Sequence, residues 1–161
     1  MAEAKLYTII VFTENKPGIL YRIADVFLKR KVNIESLTVS EIETSGMSRF
    51  TIVIKGNTFT VEKIVKQLYK IIEVIKVREN TDEMIVFRDT ALIKVTTKNS
   101  DQRHEIENFV ALFAAKIVFV GDNTMIIEKT GTEEEITSLY NRLKPFGIKE
   151  YVRSGRIALI K

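Results

Sequence analysis

The chain has 161 residues, of which 45% are hydrophobic, and it carries a formal net charge of +4 at pH 7. This length allows one mid-sized domain or two small ones, each with a real hydrophobic core. The chain has no cysteine, which excludes disulfides, thiolate metal sites and cysteine nucleophiles.

The first half predicts the order strand, helix, strand, strand, helix, strand. Tyr7–Thr13 is apolar on both sides, as is typical of a buried central strand. The two helices each show an i, i+3, i+4, i+7 apolar stripe, given by Leu20, Ile23, Ala24 and Phe27 and by Val61, Ile64, Val65 and Leu68. The remaining strands are predicted from Val32 onward, around Phe50–Ile54 beyond a Thr44–Gly46 turn, and at Val74–Arg78.

The second half repeats this order. Its predicted elements are the strands Ala91–Thr96, Ile117–Val120, Met125–Glu128, Ile148–Val152 and Ile157–Ile160, and the helices Asp101–Ala115 and Thr132–Lys144. Thr132 is expected to cap the last helix, with Glu133–Glu135 complementing the dipole in its first turn. The acidic trio is therefore not interpreted as paired catalytic carboxylates.

The pattern predicts an α+β protein of two ferredoxin-like βαββαβ domains. The polar stretch Glu79–Glu83 is the expected joint, which gives domains at residues 1–79 and 84–161. The strands are too apolar for the sheet face opposite the helices to be exposed to solvent. We therefore expect a second copy of the chain to cover that face, in a homodimer or higher oligomer.

The candidate binding site is the turn Asn15–Leu20 and the segment Asn33–Ile34. A helix start offers unpaired N–H groups and a positive dipole end, which suit a carboxylate or phosphate. Gly18 has no side chain to keep a ligand off the backbone. We expect Asn33 to lie beside this turn and to bond an α-amino or α-carboxylate group, while Ile19, Leu20 and Ile34 contact a branched side chain. The alternative is an ordinary helix start, with Asn33 bonding its own backbone.

No residue set predicts catalysis, so no catalytic residue is assigned. The single histidine, His104, is expected on a polar helix face, and neither a metal site nor a nucleophile-histidine arrangement is supported. No phosphate-binding glycine motif is present. The scattered basic residues do not predict a nucleic-acid partner, and the densest cluster, Lys29–Lys31, complements a helix end. No apolar run is long enough to span a bilayer and the first residues, Met1–Ala4, lack a signal-peptide pattern, so no membrane contact and a cytoplasmic location are expected.

The residues of the candidate site also resemble a known family. "ENKPGIL" at residues 14–20, followed by "VNIESLTV" at residues 32–39, is similar to the N-terminal ACT domain of the small, regulatory subunit of acetohydroxyacid synthase (acetolactate synthase). The resemblance continues in the family's order through Met47–Ile52, Lys66–Lys70, Arg88–Val95 and Val152–Gly155. One departure is Lys31, where many members have Gly.

The resemblance implies a non-catalytic regulatory subunit in branched-chain amino-acid biosynthesis. Such a subunit activates the catalytic subunit of acetohydroxyacid synthase and confers feedback inhibition by valine or a related amino acid. Thiamine diphosphate, Mg²⁺ and FAD are expected in the catalytic partner, with no cofactor in this chain. In the family the effector binds between two paired ACT domains. The matching positions here are Asn15, Gly18 and Asn33, with Ile19, Leu20 and Ile34 lining the pocket.

Two other classes remain open at this stage. A stand-alone ACT-type amino-acid sensor, serving another enzyme or a transcriptional regulator, shares the fold, although no segment is left for a DNA-reading helix-turn-helix. A small enzyme on a ferredoxin-like scaffold is the other, because fold does not determine function.

Overall fold

The first half of the chain forms a four-stranded sheet with two helices. The structure is a computed structural model and describes residues 5–161; residues 1–4, where no signal-peptide pattern was expected, lie outside the described residues. The elements are β1 (Lys5–Glu14), α1 (Ile19–Lys29), β2 (Ile34–Glu41), β3 (Met47–Gly56), α2 (Thr58–Leu68) and β4 (Val74–Thr81). The strands run in the order β2-β3-β1-β4, and every neighbouring pair is antiparallel.

The second half repeats this topology. Its elements are β5 (Ile85–Thr96), α3 (Ser100–Leu112), β6 (Lys116–Val120), β7 (Thr124–Gly131), α4 (Glu133–Leu143), β8 (Ile148–Arg153) and β9 (Ile157–Ile160). Its strand order, β6-β7-β5-β8, matches the first sheet position by position, while β9 pairs with β5 outside that path. The predicted α+β fold with two βαββαβ repeats is confirmed.

The expected joint is shorter than the polar stretch suggested. Strand β4 continues to Thr81, one 3₁₀ turn covers Asp82–Met84, and β5 begins at Ile85. The contacts between residues divide the chain into two compact units. The first comprises the chain up to Phe87 together with Arg156–Lys161, and the second comprises Arg88–Gly155. The boundaries expected at 1–79 and 84–161 thus differ from this division, chiefly because the last six residues return to the first unit.

The core of the first unit lies between its sheet and its helices. It contains Ile9, Val11, Phe50, Ile52 and Ile54 from the strands, and Ile19, Ile23, Phe27, Val61, Ile64 and Leu68 from the helices. The predicted stripe of α2 is confirmed. The predicted stripe of α1 is wrong at Leu20, whose side chain is 48% exposed. The helix begins at Ile19, and its apolar face, centred on Ile23, turns toward Ile19 rather than toward Leu20.

The opposite face of this sheet is covered by the chain's own C-terminal residues. Thr8, Ile10, Thr51 and Val53 point away from the helices, yet each is at most 4% exposed. Arg156 and Ala158 are buried within the same unit, and the Arg49 guanidinium donates to the Ala158 carbonyl. The expectation that a second copy provides this cover was therefore wrong for these positions, where residues 156–161 provide it.

Arg156 is the polar anchor of the C-terminal segment. Its guanidinium donates to Thr8 Oγ1 at 3.1 Å and to Asp82 Oδ1 at 2.6 Å, and its Cζ lies 3.8 Å from the centroid of the Phe87 ring. Its backbone N–H donates to Ser36 Oγ at 3.0 Å, and its carbonyl accepts from Thr38 Oγ1 at 2.8 Å. A cation with so little exposure is stable only because these groups replace water around it.

Helices α1 and α3 end in the same motif. Lys31 has φ 55° and Ala114 has φ 48°, so both lie in the left-handed region that favours glycine. In α1, Lys31 N–H donates to Leu28 O and Val32 N–H donates to Phe27 O, which is the hydrogen-bond pattern of a Schellman motif. The reversal at Ala114 explains why α3 ends at Leu112, before the predicted Ala115.

The second core is built in the same way. Its buried residues are Ile93, Val95, Ile106, Val110, Met125, Ile127, Leu139, Leu143 and Phe146. The predicted cap of α4 is confirmed as a capping box: Glu135 N–H donates to Thr132 Oγ1 at 3.3 Å, and Thr132 N–H donates to Glu135 Oε2 at 2.7 Å. These reciprocal bonds satisfy two donors that the helix start would otherwise leave unpaired.

Candidate functional site

The turn after β1 is held in place by backbone hydrogen bonds to two other loops of the first unit. Glu14 N–H donates to Glu73 O at 2.9 Å, and Asn15 N–H donates to Gly46 O at 2.7 Å. Gly18 has φ 84°, a left-handed conformation that most side chains resist. A Cβ placed there would meet no atom within 4 Å, so the surface over Gly18 is open.

The start of α1 has unpaired backbone donors. Ile19 N–H donates to Lys16 O at 3.3 Å and Arg22 N–H donates to Gly18 O at 3.2 Å. Between them, the amides of Leu20 and Tyr21 have no partner in residues 5–161. Two free N–H groups at the positive end of an eleven-residue helix offer hydrogen-bond donors that suit an anion.

The cations beside this turn are already neutralised within the chain. Lys16 Nζ lies 2.5 Å from Glu14 Oε2, and Glu14 raises the pKa of Lys16. Arg22 donates to both carboxylate oxygens of Glu73, at 2.8 and 2.7 Å. A hydrogen bond from the backbone N–H of Glu73, and then the Arg22 guanidinium, hold the pKa of Glu73 below its usual range. Since the nearby charges are paired, the open amides are the donors that a carboxylate can meet here.

Asn33 lies at the other end of the sheet, so the expected convergence within one chain was wrong. Glu14, which precedes the turn, pairs with Met47 at one end of β3, whereas Ile34 pairs with Ile54 at the other. Seven residue steps along β3 separate these positions, which is about 23 Å at roughly 3.3 Å per step. The reason is the strand order: β2 lies parallel to β1 with β3 between them, so α1 carries the chain back before β2 begins.

The six predicted residues differ in accessibility. Asn15, Gly18 and Asn33 are exposed, Leu20 is exposed in the first turn of α1, and Ile34 is half-buried. Ile19 belongs to the core, so its side chain cannot line a surface pocket, although its backbone is part of the turn. Among residues 5–161, the side chain of Asn33 makes one long hydrogen bond, from Nδ2 to Glu35 Oε1 at 3.4 Å. Its second N–H and its Oδ1 are therefore available to another group.

Sequence reasoning missed the Arg22–Glu73 pair. The only signal was a glutamate inside the apolar stretch Ile71–Val74, where a charge needs a partner. This pair joins the first turn of α1 to the start of β4 and so fixes the helix start relative to the sheet.

Other classes of site find no support among the described residues. No group of three or more His, Cys, Asp or Glu side chains in residues 5–161 could hold a metal ion. His104 is exposed on α3, as expected. In this same part of the chain, no helix is both long and apolar enough to cross a membrane.

Comparison with known proteins gives a consistent result. A family model for an "AHAS small subunit-like ACT domain" matches residues 9–76, and a model for the "small subunit of acetolactate synthase" matches residues 88–161. The chain is 43% identical to a probable acetolactate synthase small subunit of Archaeoglobus fulgidus, over 96% of each chain. It is 40% identical to the acetolactate synthase small subunit of Aquifex aeolicus, over 98% of this chain and 82% of that protein.

A solved structure shows the same fold over the whole chain. The crystal structure of the acetolactate synthase small subunit from Thermotoga maritima superimposes with a TM-score of 0.89 at 36% identity, covering 98% of each chain. The matches extend through both repeats, including the turn at Asn15–Gly18. The chain therefore belongs to the acetolactate synthase small subunit family and carries an N-terminal ACT domain.

Proposed function

We propose that this chain is the non-catalytic regulatory subunit of acetolactate synthase, that it raises the activity of the catalytic subunit, and that it transmits feedback inhibition by valine or a related branched-chain amino acid. In this proposal both subunits are cytoplasmic, and the catalytic subunit binds thiamine diphosphate, Mg²⁺ and FAD. Family membership supports the partnership with a catalytic subunit.

The open helix start at Gly18 carries the effector part of the proposal. The effector carboxylate accepts hydrogen bonds from the amides of Leu20 and Tyr21, above a Gly18 surface with no atom within 4 Å of a Cβ position. The side chain of Leu20, 48% exposed, provides an apolar contact for a branched side chain.

A second copy of the chain completes this site. Asn33 is about 23 Å away along the sheet of its own chain, so it binds the effector of a partner protomer, together with the half-buried Ile34. The effector is then held by the turn of one protomer and the Asn33 segment of the other. This arrangement makes dimerisation a requirement for sensing.

Regulation follows from a difference in affinity between two arrangements of the paired domains. An effector held by two protomers binds only the arrangement in which both halves of the site face each other, and it raises the population of that arrangement. A shift from 1:99 to 99:1 requires about 5.5 kcal/mol of preferential binding. An effector that contacted one protomer alone would have little such preference.

The test compares two substitutions at Gly18. Gly18→Asp places a carboxylate over the open amides, and like charges about 4 Å apart at the surface cost up to roughly 4 kcal/mol. Gly18→Asn has nearly the same size and tolerates the same left-handed backbone, so it controls for both. We expect the Asp variant to bind valine about 100-fold more weakly than the Asn variant in calorimetry. Equal affinities would contradict the site.

Mixing two defective variants tests whether the site is shared. Asn33→Ala should weaken valine binding by roughly 1–3 kcal/mol through a lost amide hydrogen bond. A mixed dimer of Gly18→Asp and Asn33→Ala chains contains one pocket with both defects and one pocket with neither. Valine binding at about one site per mixed dimer is the expected result. No recovery on mixing would mean that each chain holds the whole site.

The regulatory role is tested with the catalytic subunit. The wild-type chain should co-purify with that subunit, raise its acetolactate synthase activity, and make the activity sensitive to valine. The Gly18→Asp variant should still activate but should no longer transmit inhibition. Failure of the wild-type chain to activate would refute the regulatory role, whereas activation without valine sensitivity would refute only the effector assignment.

A further inference from the structure

The second unit repeats the geometry of the ACT-domain turn with different residues. Thr97 N–H donates to Asn123 O at 2.9 Å, as Asn15 N–H donates to Gly46 O in the first unit. Arg103 N–H donates to Asn99 O at 3.2 Å, as Arg22 N–H donates to Gly18 O. Each unit thus places an arginine at the fourth residue of the helix that follows its first strand.

A cavity of about 280 Å³ opens at this second turn. Its lining residues are Thr97, Lys98, Asn99, Ser100, Arg103 and Asp122. The side chain of Asn99 caps α3 by accepting from Gln102 N–H at 2.9 Å. In residues 5–161 the amides of Ser100 and Asp101, between the cap and Gln102, have no hydrogen-bond partner. The cavity therefore lies at the positive end of a thirteen-residue helix that has two free donors.

The cations of this cavity lack the partners that their counterparts have. In the first unit Lys16 is paired with Glu14, and Arg22 with Glu73. Within the part of the chain that the structure describes, neither Lys98 nor Arg103 forms an ion pair, and the Arg103 guanidinium donates only to Gly121 O, at 3.2 Å. Two unpaired cations at a helix N-terminus oppose the helix dipole, and Asp101 and Asp122 offset them without pairing. A bound anion would remove this repulsion.

Thr97 supplies an independent observation that points to a ligand. It lines the cavity and is 2% exposed, and its hydroxyl has no hydrogen-bond partner among residues 5–161. Buried hydroxyls are nearly always paired, because an unpaired one is costly to desolvate. An oxyanion in the cavity offers the acceptor that this hydroxyl lacks.

We propose that the second unit binds a small oxyanion, the carboxylate or phosphate group of a metabolite, at the N-terminus of α3. The amides of Ser100 and Asp101 and the Thr97 hydroxyl donate to it, and Lys98 and Arg103 neutralise its charge. This site is separate from the effector site at Gly18, and it does not depend on a second protomer, because all of its residues lie in one unit.

The experiment follows backbone amide signals by NMR in the full-length chain, during separate titrations with inorganic phosphate and with acetate at constant ionic strength. We expect saturable shifts at Ser100 and Asp101, with a Kd on the order of 1 mM for at least one of the two anions. Saturation with phosphate alone identifies a phosphate group as the ligand, and saturation with acetate alone identifies a carboxylate. Absence of saturable shifts with both anions overturns the proposal.

Matched variants separate a site from general salt effects. Lys98→Gln removes an exposed cation that forms no ion pair within residues 5–161, and Arg103→Gln removes the second cation of the cavity. Each should weaken binding about 10-fold, whereas Lys116→Gln, at an exposed cation outside the cavity, should leave it unchanged. Thr97→Val keeps the side-chain shape and should also weaken binding. Equal affinity across these variants would overturn the proposal, and the Gly18→Asp variant, with an intact second unit, should bind like the wild type.

Discussion

Replacing Arg156 by methionine should destabilise the first unit by about 3 kcal/mol. The charge-assisted hydrogen bond to Asp82 contributes about 1.5–3 kcal/mol, but Asp82 is 37% exposed and regains water, so the lower end applies. Stacking on Phe87 adds about 0.5–2 kcal/mol. The fully buried Thr8 hydroxyl also loses its partner, at a cost of about 1 kcal/mol. Methionine fills much of the volume, so little of the loss comes from a cavity.

Urea unfolding, followed by a probe within the first unit, measures this loss. With a slope of about 1–3 kcal/mol per molar, the midpoint should fall by roughly 1–3 M. Arg156→Lys keeps the charge but replaces the planar guanidinium by a compact ammonium, which packs less well on the Phe87 ring, so it should lose part of that stability. Arg78→Met, at an exposed arginine, should change it by less than about 0.5 kcal/mol. If Arg156→Met unfolds at the same midpoint as Arg78→Met, the segment is not anchored through this side chain and the reasoning fails.

Two further predictions concern helix ends. Lys31→Gly and Ala114→Gly should each raise the free energy of unfolding by about 0.5–1 kcal/mol, because relief of the left-handed strain exceeds the added entropy of the unfolded chain; a lower melting temperature in either variant would contradict this. The hydrogen bond from the Thr132 N–H lowers the pKa of Glu135 in the folded state. As the pH falls, Glu135 therefore takes up a proton in the unfolded chain before it does so in the folded protein. The stability that this contact provides is present at neutral pH and is lost as the pH falls through the lowered pKa. Urea midpoints of Glu135→Gln should therefore depend less on pH between neutral and acid conditions than those of the wild type, and parallel curves would refute the assignment.

Features set by neighbouring residues were predictable from sequence. The stripe of α2 and the Thr132 cap follow from local spacing, and both are confirmed. The face of α1 was displaced because Ile19, Ile23 and Phe27 form an i, i+4, i+8 stripe that overlaps the predicted one, and the buried face follows Ile19 instead of Leu20. Spacing locates a helix but does not choose between two overlapping apolar stripes.

Features set by distant residues were not predictable. The misplaced Asn33 is a different case, because the predicted strand-helix-strand order already implies that β2 runs parallel to β1 and begins at the end of the sheet opposite the Gly18 turn. The apolar run Ile157–Ile160 indicates a strand but not the face that it covers. The sequence does not distinguish Arg156 from the other basic residues, because its partners Thr8 and Asp82 are distant in the chain.

The return of the last six residues to the first unit has a consequence for biosynthesis. N-terminal domains generally fold first as a chain leaves the ribosome, at about 5–20 residues per second. Here the 74 residues from Arg88 to Lys161 follow the main part of the first unit, so its far sheet face stays uncovered for roughly 4–15 seconds. A nascent chain in this interval exposes Ile10 and Val53, and a chain that stops at Gly155 would leave that surface permanently bare. Translation that stops before Arg156 should therefore yield chains that aggregate, although both cores are already present.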